Sequence, residues 1–167
     1  YVQASNIDAS ETNNWFPDGA GGYYGWTPIG KEYVGDFTGS YNGNGYNIKG
    51  LFINRTSEDY QGLFGRTSGA TISNLGLVDV EIHGRHYSAG LVGYNNNNST
   101  VTNCYSIGNV TGSWHVGGLV ADNYSSSVSN CYTEGSVAGS PMIGGLVGSS
   151  QYSASVSNSY SRCNVSG

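Results

Sequence analysis

The chain has 167 residues, enough for one domain, with 37% apolar residues, 10% charged residues and a net charge of −5. Six Lys and Arg residues cannot assemble the basic surface that a phosphate backbone demands, so nucleic acid is excluded as an expected partner. The apolar runs are far too short for membrane insertion of this segment, and three Cys residues do not make a disulfide framework.

Gly, Ser, Asn and Tyr dominate what remains, which is poor helix chemistry and, for Tyr, good strand chemistry. Regularly placed Leu, Val and Ile argue against disorder. The chain opens at Tyr1 without Met or a signal peptide, and reads as a mature or excised piece of a longer protein. Its low charge and polar, Tyr-rich composition point to an extracellular, cell-surface location.

Residues 1–61 read as an N-terminal cap and first coils. Ile7-Asp8-Ala9-Ser10 precedes a Gly- and aromatic-rich loop through Trp15, Tyr23, Tyr24 and Trp26, then Thr27-Pro28-Ile29-Gly30. The aromatics are expected to pack over the end of a core, with a ligand platform as the alternative. Asn44-Gly45 lies between alternating apolar residues. It fits a two-residue hairpin or a corner between strands of one coil, and the repeats that follow favour the corner.

Residues 62–167 repeat one phrase. Gly62-Leu63-Phe64-Gly65, Gly90-Leu91-Val92-Gly93, Gly118-Leu119-Val120-Ala121 and Gly145-Leu146-Val147-Gly148 start 28, 28 and 27 residues apart. A period of this size marks a stacked repeat architecture. A second apolar position follows each phrase (Ile72, Val101, Val128, Val156), with Asn74, Asn103, Asn130 and Asn158 two residues later. A third (Ile82, Val110, Val137, Val165) closes the unit 10, 9, 9 and 9 residues after the second, and the next phrase begins 8 residues on.

The segments are too short for helices and lack a 3.6-residue period. One unit cannot bury enough apolar surface to offset its own ordering, so units must stack, each strand pairing with its equivalents about 4.8 Å above and below. Parallel connections are overwhelmingly right-handed. The expectation is therefore an all-β fold, a right-handed parallel β-helix (solenoid) with coils of about 27–28 residues and three short strands per coil, in a single domain over residues 1–167. Ladders of Leu63, Leu91, Leu119, Leu146 and of Asn74, Asn103, Asn130, Asn158 follow, with Asn side chains hydrogen-bonded along the column. Strand alternation alone leaves open which of Leu91 and Val92 faces inward.

The Gly-Leu-Val-Gly phrases, with Asn103-Cys104-Tyr105 and Asn130-Cys131-Tyr132 between them, resemble the GLUG-motif repeats of bacterial adhesins and IgA-peptidase-type surface proteins. Trp26-Thr27-Pro28-Ile29-Gly30 and Phe37-Thr38-Gly39 through Gly43-Asn44-Gly45 resemble the segment that commonly precedes them. The resemblance implies a β-helical, non-catalytic part of a surface protein. Departures are Ala121 for the last Gly, Ser159 for Cys, and Cys163 where Gly108 and Gly135 stand in sister coils.

Cys104 and Cys131 fall one coil apart. Their separation suits a disulfide, but in-register neighbours point alike, which favours two stacked, buried, reduced thiols. Cys163 is expected to be unpaired. His83, Arg85 and His86 lack a helix to present them and an acidic partner, so no metal and no cofactor is expected. Among eleven acids, Asp79 and Glu81 share a strand face; Asp79 counts into register with Gly108, and Asp122 between Tyr94 and Ser149. No column holds the two carboxylates that glycoside cleavage needs.

The candidate binding surface is the corner before each phrase: His86 and Trp114 with Pro141, then Tyr87, His115 and Met142. Tyr105, Tyr132 and Tyr160 form a further aromatic column. Such stacks can receive a sugar ring or a protein partner, or simply shield the coil edge. Sequons occur at Asn54, Asn98, Asn109, Asn123 and Asn164. The functional expectation is a non-catalytic extracellular surface module, an adhesin-like stalk or scaffold whose partner is a host or neighbouring-cell protein or glycan. Two alternatives are a filament subunit that self-associates through open coil ends and a polysaccharide-acting enzyme.

Overall fold

A computed structural model describes residues 1–167. The chain winds into a parallel β-solenoid of about five turns. Its walls are four sheets whose strands pair parallel along the axis. The longest strands, Gly76–Gly84, Tyr105–Thr111, Tyr132–Ala138 and Tyr160–Ser166, share one wall. A second wall holds His86–Ala89, Trp114–Gly117 and Ile143–Gly144, and a third holds Phe64–Ser68, Val92–Asn96, Val120–Tyr124 and Val147–Gln151. The fourth runs from Ser40–Asn42 through Thr71–Ser73, Thr100–Thr102 and Ser127–Ser129 to Ser155–Ser157.

A full coil thus carries four strands rather than three. The corner before each Gly-Leu-Val-Gly phrase is itself a short strand. Its residues obey no apolar alternation because only the inner ones, such as Val116 and Ala89, reach the core.

The core is a column of Leu, Val and Ile side chains down the axis. Leu91 and Val92 are both fully buried. The chain turns inward at this corner, and both backbone N–H groups donate to the Leu119 carbonyl, at 3.1 and 3.0 Å. Leu119 in turn donates to Leu146 (2.9 Å), and Leu63 donates to Gly90 (3.2 Å). The final Gly of the phrase sits under neighbouring backbone: a methyl at Gly93 would lie 2.7 Å from the Tyr87 carbonyl oxygen and 2.8 Å from that of Gly65.

Asn74, Asn103, Asn130 and Asn158 occupy a left-handed corner, with φ between 49° and 53°. Asn is among the few non-Gly residues that tolerate this region, so the column is set by backbone geometry as well as by side-chain bonding. The side-chain chain runs from Asn103 to Asn74 (3.1 Å) and from Asn74 to Asn42 (3.0 Å). No side-chain bond continues it to Asn130 or Asn158; there the left-handed backbone alone is repeated. Asn44 (φ 55°) and Gly45 (φ 81°) form the matching corner of the first coil, between strands of different walls.

Asp79 corrects a residue count. Ile107 pairs with Val78 and Gly108 with Val80, so Asp79 bulges out of the wall between them, at φ 53°. The extra residue that lengthens this unit is absorbed inside the strand.

Cys104 and Cys131 are buried free thiols, and Cys163 is a partly exposed one. The Cys131 thiol beside it, together with burial, keeps the Cys104 thiol well above the usual range, so it is chemically quiet. Of the sequons, Asn123 is fully buried, with its Nδ2 donating to the carbonyls of Ser126 (3.1 Å) and Ser155 (3.2 Å).

The aromatic loop at residues 15–37 lies along the first coils. Trp15 and Trp26 pack at 6.0 Å, and Trp26 Nε1 donates to the Leu63 carbonyl. Arg55, only 8% exposed, fastens the loop: it donates to the carbonyls of Trp26 (3.0 Å) and Gly25 (3.3 Å), to Thr27 Oγ1 (3.0 Å) and to Glu58 (2.8 Å). Replacing Arg55 with Met leaves those carbonyls unpaired, and urea unfolding should register a loss of about 2 kcal/mol.

Candidate functional site

The corner residues divide into three groups. His86 and Trp114 pair in register on the short-strand wall, their rings 6.3 Å apart and edge-on. Trp114 is 47% exposed. Tyr105, Tyr132 and Tyr160 stack nearly parallel at 4.9 and 5.4 Å, at the start of the long-strand wall. They stand apart from the corner group, at the other end of their strands. Tyr87, His115 and Met142 come together in a groove of about 470 Å³.

Seven residues complete that groove: Tyr60, Arg66, Tyr94, Asp122, Tyr124, Gln151 and Tyr152. Two columns build it. Tyr60, Tyr87 and His115 sit at successive corners in the left-handed region, with φ of 62°, 57° and 54°. Bulky residues rarely adopt this backbone, and such strain concentrates at functional positions. Tyr60 and Tyr87 stack at 4.8 Å, and Tyr87 meets His115 at 4.7 Å. The second column lies on the Gly-Leu-Val-Gly wall, where Arg66 pairs with Tyr94, and Tyr94 and Ser149 flank Asp122. Tyr124 and Tyr152, 4.5 Å apart, close one side.

The floor is polar and buried. The Asp122 side chain is 4% exposed, and its Oδ1 has no hydrogen-bond partner. His115 Nδ1 lies 3.3 Å from Asp122 Oδ2 but is not aligned to bond it. Burial raises the Asp122 carboxyl above its ordinary value, offset in part by His115, Ser149 and Gln151. Burial lowers His115, against the pull of Asp122. Burial also pushes the Tyr94 phenol up to about 12, so its ring stays neutral at physiological pH.

Tyr60 escapes a residue count because the first coil is one residue shorter before its phrase: Gln61 pairs with Ser88 but Phe64 with Val92. Counting 28 back from Tyr87 lands on Asp59. Tyr94 and Asp122 are alignable, but nothing in their spacing says that Asp122 is buried.

The other charged candidates find separate partners. Asp79 pairs with Lys49 at 3.4 Å, Glu81 with His83 at 3.1 Å, and His86 with Asp59 at 3.3 Å. The larger cleft at the N-terminal end, about 530 Å³, is lined by Val2, Ile7, Ile29, Phe37 and Phe64 and is continuous with the core.

Fold and repeat define a β-solenoid of short parallel coils. Residues 84–111 and 112–138 each match the family described as "The GLUG motif", and these coils belong to it. The chain is 38% identical over 124 residues to halomucin of Haloquadratum walsbyi, a match covering 72% of this chain and 1% of that protein. It is 32% identical over 125 residues to an immunoglobulin A1 protease of Streptococcus sanguinis, covering 74% of this chain and 6% of the protease. The chain thus spans a small fraction of either relative. No solved structure matches it. No helix is long and apolar enough to cross a membrane.

Proposed function

We propose that the chain is a non-catalytic, rigid module of an extracellular surface protein, and that it engages a partner laterally through the Tyr-rich groove and the adjoining His86–Trp114 edge. The observation that carries this reading is the contrast between the repeated framework and the corner columns. Gly, Leu, Val and Asn recur wherever backbone or core demands them. The residues lining the groove are bulky, and three of them, Tyr60, Tyr87 and His115, hold a left-handed backbone where Asn or Gly would be easier to accommodate. The relatives' names, a mucin and a protease directed at an immunoglobulin, fit work outside the cell. Asp79 and Glu81 are tied to different basic partners, Lys49 and His83, which supports the non-catalytic reading over an acid–base pair at these two residues.

Labelled chain retained on intact cells or on a purified surface-glycan panel tests the proposal. Trp114→Ala removes an exposed anchor of the kind that dominates interfaces, so retention should fall about tenfold with an unchanged melting temperature. Equal retention by the variant rejects the corner as the contact. Release of reducing ends from polysaccharides, abolished by Asp79→Ala or Glu81→Ala, would instead establish the enzyme.

A further inference from the structure

Resting on the reading of the groove as a binding face, we propose that the seat walled by Tyr94, Tyr124, Tyr152 and His115 over Asp122 binds an organic cation, an ammonium or guanidinium head group. The protein already shows this recognition in the neighbouring position. The Arg66 guanidinium carbon lies 4.9 Å from the Tyr60 ring centre and 5.5 Å from that of Tyr94. Asp36 bonds the same guanidinium at 2.8 Å, and Glu32 stands 3.8 Å from it. A cation between tyrosine faces with carboxylates behind it is thus satisfied internally.

Along the axis the pattern recurs with the cation missing. Tyr94 takes the register position of Arg66, and Asp122 that of Tyr94. Tyr94 and Tyr124 lie 6.0 Å apart, and Tyr152 packs on Tyr124. The carboxylate is present and buried, with Oδ1 unpaired, and Arg66 is the only Lys or Arg lining the groove. A buried carboxylate oxygen without a hydrogen bond is costly, and a desolvated cation over tyrosine faces is stabilised by the ring quadrupoles. One guest relieves both. A neutral saccharide uses the ring faces but leaves the charge uncompensated, so the cation is favoured.

The test titrates the whole chain, followed by NMR shifts, with choline, agmatine, a tripeptide with central Lys or Arg, the uncharged choline isostere 3,3-dimethylbutan-1-ol, and methyl α-glucoside. The cations should bind at least about tenfold tighter than both neutral compounds, with shifts confined to the groove. Asp122→Asn should weaken cation binding about tenfold, and Tyr152→Leu, at an exposed residue whose loss cannot unfold the chain, about threefold. Tighter binding of the tripeptide identifies a protein side chain as the source; tighter binding of choline identifies a small head group. Neutral compounds binding as well as choline, unchanged affinity in both variants, or no cation binding at all would overturn the inference. If cells still retain the chain while no cation binds, this inference falls and the surface-module reading stands.

Discussion

Leu119→Ala should destabilise the chain by about 3–5 kcal/mol, read as a lower urea midpoint at unchanged slope. Leu119 is fully buried between Leu91 and Leu146 in the axial column. Its carbonyl accepts from both Leu91 and Val92, and its N–H donates to Leu146, so its backbone is pinned on both sides. The walls cannot move inward to fill the hole without breaking ladders above and below, which places this site at the costly end of such substitutions. Leu146→Ala, at a partly buried position of the same column, should cost about half as much.

Asn95→Ala should cost about 2–4 kcal/mol for a different reason. Asn95 is fully buried; its Nδ2 donates to Asn123 Oδ1 at 2.9 Å, and its Oδ1 accepts from the Thr67 hydroxyl at 2.9 Å. Truncation leaves Asn123 Oδ1 without its donor and the Thr67 hydroxyl with only a long contact to the Tyr94 carbonyl (3.4 Å), in a site that water does not reach. Thr67→Val combined with Asn95→Ala should fall short of additivity by about 1 kcal/mol, because the second change removes a group already left unpaired. Additive losses would mean that the two residues act independently.

The two polar ladders explain what could be read from the chain before its structure. The exposed column at Asn74 and Asn103 declares itself because the repeat fixes an Asn there in four coils. The buried one mixes Thr67, Asn95 and Asn123 and is disguised by type. Likewise the solenoid was legible because Leu63, Leu91, Leu119 and Leu146 recur at offsets of 28, 28 and 27 residues. The fourth wall was hidden, since His86–Ala89 and Trp114–Gly117 share no residue pattern beyond their inner ends. Tyr87, His115 and Met142 could be picked out as bulky residues where the framework imposes no type. Arg66, Asp122 and Tyr152 could not, because their role comes from what faces them across a coil boundary and, for Asp122, from burial.

The bulge at Asp79 has a genetic corollary. A single added codon there leaves Val80 and Ile82 pointing inward and every later coil in phase, so a strand in this wall can swallow a slippage event without scrambling the array. Unit length is therefore a loose ruler for tracing how such arrays diverge; the inward side chains, not the spacing, mark corresponding positions.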